Sequence, residues 1–135
     1  ILEINENIKI DAYDVLDMKF SNSNIFFHKK NFLEVDFSKI NKKYDLILSD
    51  LAPNTIGHKS TDHLRIISMI EKVIDISKSA SIPYGNLIIK ILKGSEEKNI
   101  INQLKYSYKK VNYYKPKSSR SESSETYIVA ERFLN

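Results

Sequence analysis

Between Asn86 and Gly94 the chain reads Asn-Leu-Ile-Ile-Lys-Ile-Leu-Lys-Gly, and this run constrains the fold more than any other. An apolar stretch so short, entered from the turn signal Pro83-Tyr84-Gly85, reads as a strand buried on both faces of a parallel sheet. Lys90 stands at its centre. An ammonium group in such a strand demands a partner or a task, because burying an unpaired charge is costly.

The flanking segments supply the rest of a layered architecture. Residues 8–15, IKIDAYDV, alternate apolar and polar and stop at an acid, as a strand does, and NIFFHK at 24–29 fits a second strand. YDLILSD at 44–50 is a third compact run, closing on Ser49-Asp50 and followed by the turn Ala52-Pro53-Asn54. From 62 to 79, DHLRIISMIEKVIDISKS spaces Leu64, Ile67, Ile70 or Ile74, and Val73 or Ile76 at helical intervals, with Thr61 or Asp62 as N-cap. A helix over about 95–109, a strand near KVNYY and a last strand at ETYIVAERF complete the order. Strands alternating with helices predict an α/β fold with a mostly parallel sheet.

At 135 residues the chain fits one domain, long enough to bury about two thirds of its unfolded surface. It has no cysteine and therefore no disulfide, which is compatible with a reducing compartment. The expected locations are the cytoplasm of a bacterium, or the mitochondrion, another organelle or the nucleus of a eukaryotic cell. No stretch approaches the roughly 20 apolar residues of a membrane span, so no membrane partner is expected. Lys+Arg 21 against Asp+Glu 17 gives a net charge of +4, which favours a polyanionic partner such as a nucleic acid. His28, His58 and His63 form no metal-ligand spacing, so no metal is expected. Ser49 beside Asp50 lacks the glycines of a hydrolase nucleophile elbow, and no phosphate-binding loop of the NTPase kind occurs.

In open α/β sheets ligands bind beyond the carboxyl ends of the strands, and Asp14, Asp50 and Lys90 are all expected there. Taken singly, Lys90 snorkels from a strand end and Asp50 caps a turn; their joint placement points to a site. Three motifs in order, SDLAPNTIG, LIIKILKG and KPKSSRSESSETYIVA, resemble those of the FtsJ/RrmJ-like (RlmE-type) ribosomal RNA 2′-O-ribose methyltransferases. In that family one strand ends in Ser-Asp-Met-Ala-Pro-Asn, a second carries Val-Lys-Val, and a Lys-Pro…Ser-Ser-Arg…Ser-x-Glu-x-Tyr segment leads into the last strand.

The resemblance implies a Rossmann-like S-adenosylmethionine-dependent methyltransferase sheet, mostly parallel with an antiparallel last strand. It implies catalytic roles for Asp50, Lys90 and Glu125, three of the family's Lys-Asp-Lys-Glu set. The first lysine and the glycine-rich cofactor loop have no counterpart among these residues, since Gly57, Gly85 and Gly94 are too far apart to form the loop. The chain is therefore expected to be N-terminally incomplete: a single methyltransferase domain over 1–135 that is the C-terminal two thirds of the usual catalytic domain. A remnant unable to hold the cofactor in the usual way is the other reading, and by itself such a chain is expected to be marginally stable.

For the cofactor, S-adenosyl-L-methionine, the resemblance places Asp14 at the ribose hydroxyls and Asn31 where the family's aspartate reads the adenine amino group. The amide oxygen of Asn31 can still accept that bond. Phe32 or Leu33 would pack on adenine or in the core. Asp50, Leu51 and Pro53, with Asn54, fall at the methionine end of the pocket. For RNA, Lys115, Lys117 and Arg120 are suited to phosphates and Ser119 to phosphate or 2′-oxygens, with Lys59, Lys105, Lys109 and Lys110 extending a basic face.

Methyl transfer to a ribose hydroxyl needs alignment and a home for the hydroxyl proton. Burial among isoleucines would favour a neutral Lys90 amine, whereas Asp50 and Glu125 would favour the ammonium; the expectation is that Lys90 is the principal catalytic group, as base or as orienting cation. Large-subunit ribosomal RNA is the expected substrate, at a uridine, acted on by a monomer. A transfer RNA 2′-O-methyltransferase and a non-catalytic RNA-binding or ribosome-assembly protein are the alternatives.

Overall fold

The computed structural model describes residue 5 and residues 7–51, 59–92, 97–116 and 125–134. The chain forms two compact units, Ile1–Asp36 and Phe37–Asn135.

In the first unit, β1 (Ile10–Asp14) and β2 (Ile25–Lys29) pair in parallel, with Ile10 opposite Ile25 and Asp14 opposite Lys29. The pairing sets Tyr13 against His28, whose rings stack at 4.5 Å with 13° between their planes. His28 Nε2 lies 3.2 Å from Asp11 Oδ1. Lys29 reaches Asp17 at 2.7 Å, which ties the connection after β1 back to the end of β2. A single 3-10 turn, Phe32–Glu34, follows, capped by Asn31.

The second unit opens with another 3-10 turn, Phe37–Lys39, and then runs β3 (Tyr44–Ser49), α1 (Lys59–Ala80), β4 (Ser81–Leu92), α2 (Glu97–Ser107), β5 (Tyr108–Tyr114) and β6 (Glu125–Phe133). Its sheet has the order β3-β4-β6-β5. β3 and β4 are parallel, and β6 runs antiparallel to both β4 and β5, so the last strand alone opposes the others in this sheet. α1 packs on β3 and β4, α2 on β5 and β6, and the two helices meet, which puts both on one side of the sheet.

The core follows from the period of two. Leu87, Ile89 and Ile91 of β4 stand opposite Ala130, Ile128 and Thr126 of β6, and all six are buried. Ile70, Val73, Ile74, Ser77 and Ala80 of α1, with Ile100 and Leu104 of α2, close over them. Each fully buried aliphatic side chain here is worth about 1.5–3 kcal/mol. The buried Ser77 hydroxyl is satisfied by donating to the Ile74 carbonyl at 2.7 Å. The Lys43 ammonium donates to the Ser79 carbonyl, holding the last turn of α1, where cations suit both the open carbonyls and the helix dipole.

Four details depart from the sequence reading. β4 is buried on one face only: Ile88 and Lys90, on the other alternation, are half-buried. The reason is that α1 and α2 cover a single side of the sheet. Pro83-Tyr84-Gly85 does not precede β4 as a turn but lies inside it, where the register with β3 slips between Tyr44 and Leu46 and Tyr84 adopts φ 64°. α1 starts at Lys59, so Thr61 and Asp62 belong to its first turn and do not cap it. Leu64 is 68% exposed, and the apolar stripe of α1 is buried only from Ile70 onward.

Candidate active site

The parallel pairing of β3 and β4 brings Asp50 and Lys90 together. Ser49 stands opposite Ile89, so the next residue of each strand meets its counterpart where β3 ends. Lys90 Nζ lies 2.9 Å from Asp50 Oδ1, with the lysine side chain 18% exposed and the aspartate 70% exposed. The asymmetry matters physically. The aliphatic stem of Lys90 shelters against the sheet while its charge keeps a solvent-accessible partner, which avoids much of the desolvation cost of a fully buried pair.

The next strands extend this pair into a row. Lys90 stands opposite Tyr127 of β6, and Tyr127 opposite Tyr114 of β5. Directly opposed residues project to the same face of a sheet, so Asp50, Lys90, Tyr127 and Tyr114 line up across the end at which β3, β4 and β5 finish. That end is where open α/β sheets bind their ligands. Glu125 stands opposite Leu92, two residues from Tyr127 on the same alternation; its side chain lies outside the described residues. Leu51, directly after Asp50, is half-buried, while Pro53 and Asn54 lie outside the described residues.

Asp14 ends β1 as expected. Its Oδ1 accepts the Leu16 N–H at 2.9 Å, which fixes the carboxylate at the strand end with acceptor sites to spare. That chemistry fits the ribose diol of the S-adenosylmethionine implied by the motifs. Asn31 is more committed. Its Oδ1 accepts the Leu33 N–H at 3.1 Å and its Nδ2 donates to Glu34 Oε1 at 3.3 Å, so it caps the 3-10 turn with one oxygen lone pair left for an adenine amino group. Leu33 is 44% exposed and Phe32 half-buried.

On the expected basic face, Lys115 follows β5 and is exposed, as are Lys105 and Lys109. Lys110 is paired with Glu131 at 2.9 Å, so its charge is already answered within the protein. Lys117, Ser119 and Arg120 lie outside the described residues, as does the side chain of Lys59. What sequence reasoning missed is the place of Tyr114 in the row. The sequence shows Tyr114 only as part of a strand, because its alignment with Lys90 passes through β6 and exists only once three strands are in register.

Residues 1–133 match the pattern of the FtsJ-like methyltransferases. The ribosomal RNA large subunit methyltransferase E of Rickettsia rickettsii is 37% identical over 131 residues, covering 93% of this chain and 57% of its own length, so the chain spans a little over half of that relative. Among solved structures, a Plasmodium falciparum protein described as a ribosomal RNA methyltransferase aligns with a TM-score of 0.78 and 30% identity over 99% of this chain and 78% of that one. The N-methyltransferase NodS of Bradyrhizobium japonicum, solved with S-adenosyl-L-homocysteine, aligns with a TM-score of 0.56 and 12% identity over 94% of this chain and 67% of that one, a likeness of fold. The motif order, the strand-end pair of Asp50 and Lys90 and the match over nearly every residue agree: the chain belongs to the FtsJ-like methyltransferase family.

Proposed function

We propose that this protein methylates a ribose 2′-hydroxyl of RNA, at a uridine of large-subunit ribosomal RNA, with S-adenosylmethionine as donor. The observation that carries the reading is the 2.9 Å pair of Lys90 and Asp50 at the ends of adjacent parallel strands. Support comes from the family and from a relative named for large-subunit ribosomal RNA methylation.

Bound S-adenosylmethionine supplies an electrophilic methyl group on a sulfonium. The protein's part is to place the acceptor oxygen and manage its proton. Lys90 Nζ is the group for that task, because its stem is held by the sheet and its position is set by Asp50 Oδ1. As an amine it takes the 2′-hydroxyl proton; as an ammonium it orients the oxygen lone pair, and the proton passes to water as the O–CH3 bond forms. Asp50 holds the amine in place and balances its charge in either case. Asp14 accepts from the cofactor ribose, a role that needs only the carboxylate at the end of β1.

The test is transfer of labelled methyl to large ribosomal subunits by the protein as its gene encodes it and by Lys90→Ala, read as alkali-resistant dinucleotides. Lys90→Ala should lower transfer by about 10²–10⁴-fold with cofactor affinity retained. Undiminished turnover by the variant would refute the assignment of Lys90. Absence of label from both proteins, with RNA binding intact, would favour a non-catalytic assembly role.

A further inference from the structure

Resting on that reading of the site, we infer that the row does not end at Lys90: Tyr114 stacks on a base of the RNA strand flanking the methylated nucleotide, so that the β4-β6-β5 face is the track along which the substrate lies. Three independent features of the molecule converge on this. The first is register. Lys90, Tyr127 and Tyr114 oppose one another in sequence across three strands, on one face and at one end of the sheet. Two strand spacings put Tyr114 about 9–10 Å from Lys90, close to the rise of three stacked bases. A nucleotide held at Lys90 therefore has its near neighbours within reach of the Tyr114 ring.

The second is exposure. Tyr127, in the middle of the row, is half-buried, whereas Tyr114, on the edge strand, is 57% exposed. An exposed ring leaves its π face open to a base, which a packed ring does not. The third is charge. Lys115 follows Tyr114 directly and is exposed, so a cation suited to a phosphate stands beside a ring suited to a base. An aromatic ring beside a basic line is the pattern of sequence-tolerant single-strand binding, because every base offers a π face.

The Tyr114 ring is a positioning element and touches none of the reacting atoms. Its loss weakens the hold on RNA and leaves the chemical step alone, so the signature is a rise in KM for RNA at unchanged kcat. Any planar aromatic ring should serve, and an aliphatic side chain of similar bulk should not.

The experiment uses the protein as its gene encodes it, with Tyr114→Ala, Tyr114→Leu and Tyr114→Phe, and large-subunit ribosomal RNA transcribed with 5-iodouridine in place of uridine. RNA affinity is measured by titration, and photo-crosslinks are mapped to residues. The expected result is that Tyr114→Ala and Tyr114→Leu weaken RNA binding about 5- to 150-fold, that Tyr114→Phe binds as the unaltered protein does, and that a crosslink maps to position 114. Equal affinity in all four proteins, or equal loss in the leucine and phenylalanine variants, would overturn the inference. Methyl transfer by the unaltered protein is measured alongside. Its absence would sink the proposed activity, while the binding comparison would still decide the role of Tyr114.

Discussion

Lys90 lies between Ile89 and Ile91, both fully buried, yet its own side chain belongs to the half-covered alternation of β4. That single step of the pleat turns a forbidden charge into a usable one. Asp50 supplies the complementary charge from outside the sheet and is itself 70% exposed. Asp50→Asn keeps the shape and removes the charge that Asp50 sets beside the half-buried ammonium. Transfer should fall by roughly 10- to 100-fold, the range typical of partners that hold a reacting group in place, and by less than in Lys90→Ala. Parallel single-turnover assays of the two variants check the order. The sequence disclosed Asp50, Lys90 and Asp14 because each combines an unusual residue type with a strand end; it could not disclose that Asn31 is occupied by its own turn, which depends on the local fold after β2.

At the scale of elements, β4 shows where local signals mislead. Pro83-Tyr84-Gly85 carries the residues of a turn, and the chain does bend there, but pairing with β3 resumes on either side and keeps it within the strand. Gly85 is required by crowding. A Cβ at this position would lie 2.9 Å from the Ile82 carbonyl oxygen and 3.2 Å from that of Tyr44, both backbone atoms that cannot yield cheaply. Gly85→Ala should destabilise the fold by about 1–3 kcal/mol, visible as a lower denaturation midpoint at unchanged m-value. Transfer by the fraction that remains folded should be unaffected, because Gly85 lies near the opposite end of β4 from Lys90.

For the molecule as a whole, the net charge of +4 is modest, and the placement of lysines matters more than their number. Lys110 is paired with Glu131, and Lys115 is exposed beside Tyr114 at the carboxyl end of the sheet. If Lys115 contacts one phosphate of a single-stranded segment, Lys115→Ala should lower the slope of log K against log salt by about 0.7. Lys105, expected to extend the basic face, belongs to α2, which packs on the side of the sheet opposite the Lys90 row, so Lys105→Ala should leave that slope unchanged. Titrations of both variants over a range of salt concentrations distinguish the two cases, and equal slopes would remove Lys115 from the RNA-binding surface.

The sequence by itself determined the element order and the chemistry at the strand ends, because both are written in local patterns. Period-two runs, a helical stripe, and acids or a lysine at or near the ends of strands need no partner to be recognised. The motif order carried the family. Tertiary structure alone decided which alternation of β4 is buried, since that depends on α1 and α2 packing on the same side of the sheet. It alone placed Tyr114 in line with Lys90, because two residues far apart in sequence share a row only after β6 has paired with both of their strands. Pairing register is a property of three strands together, and no single segment contains it.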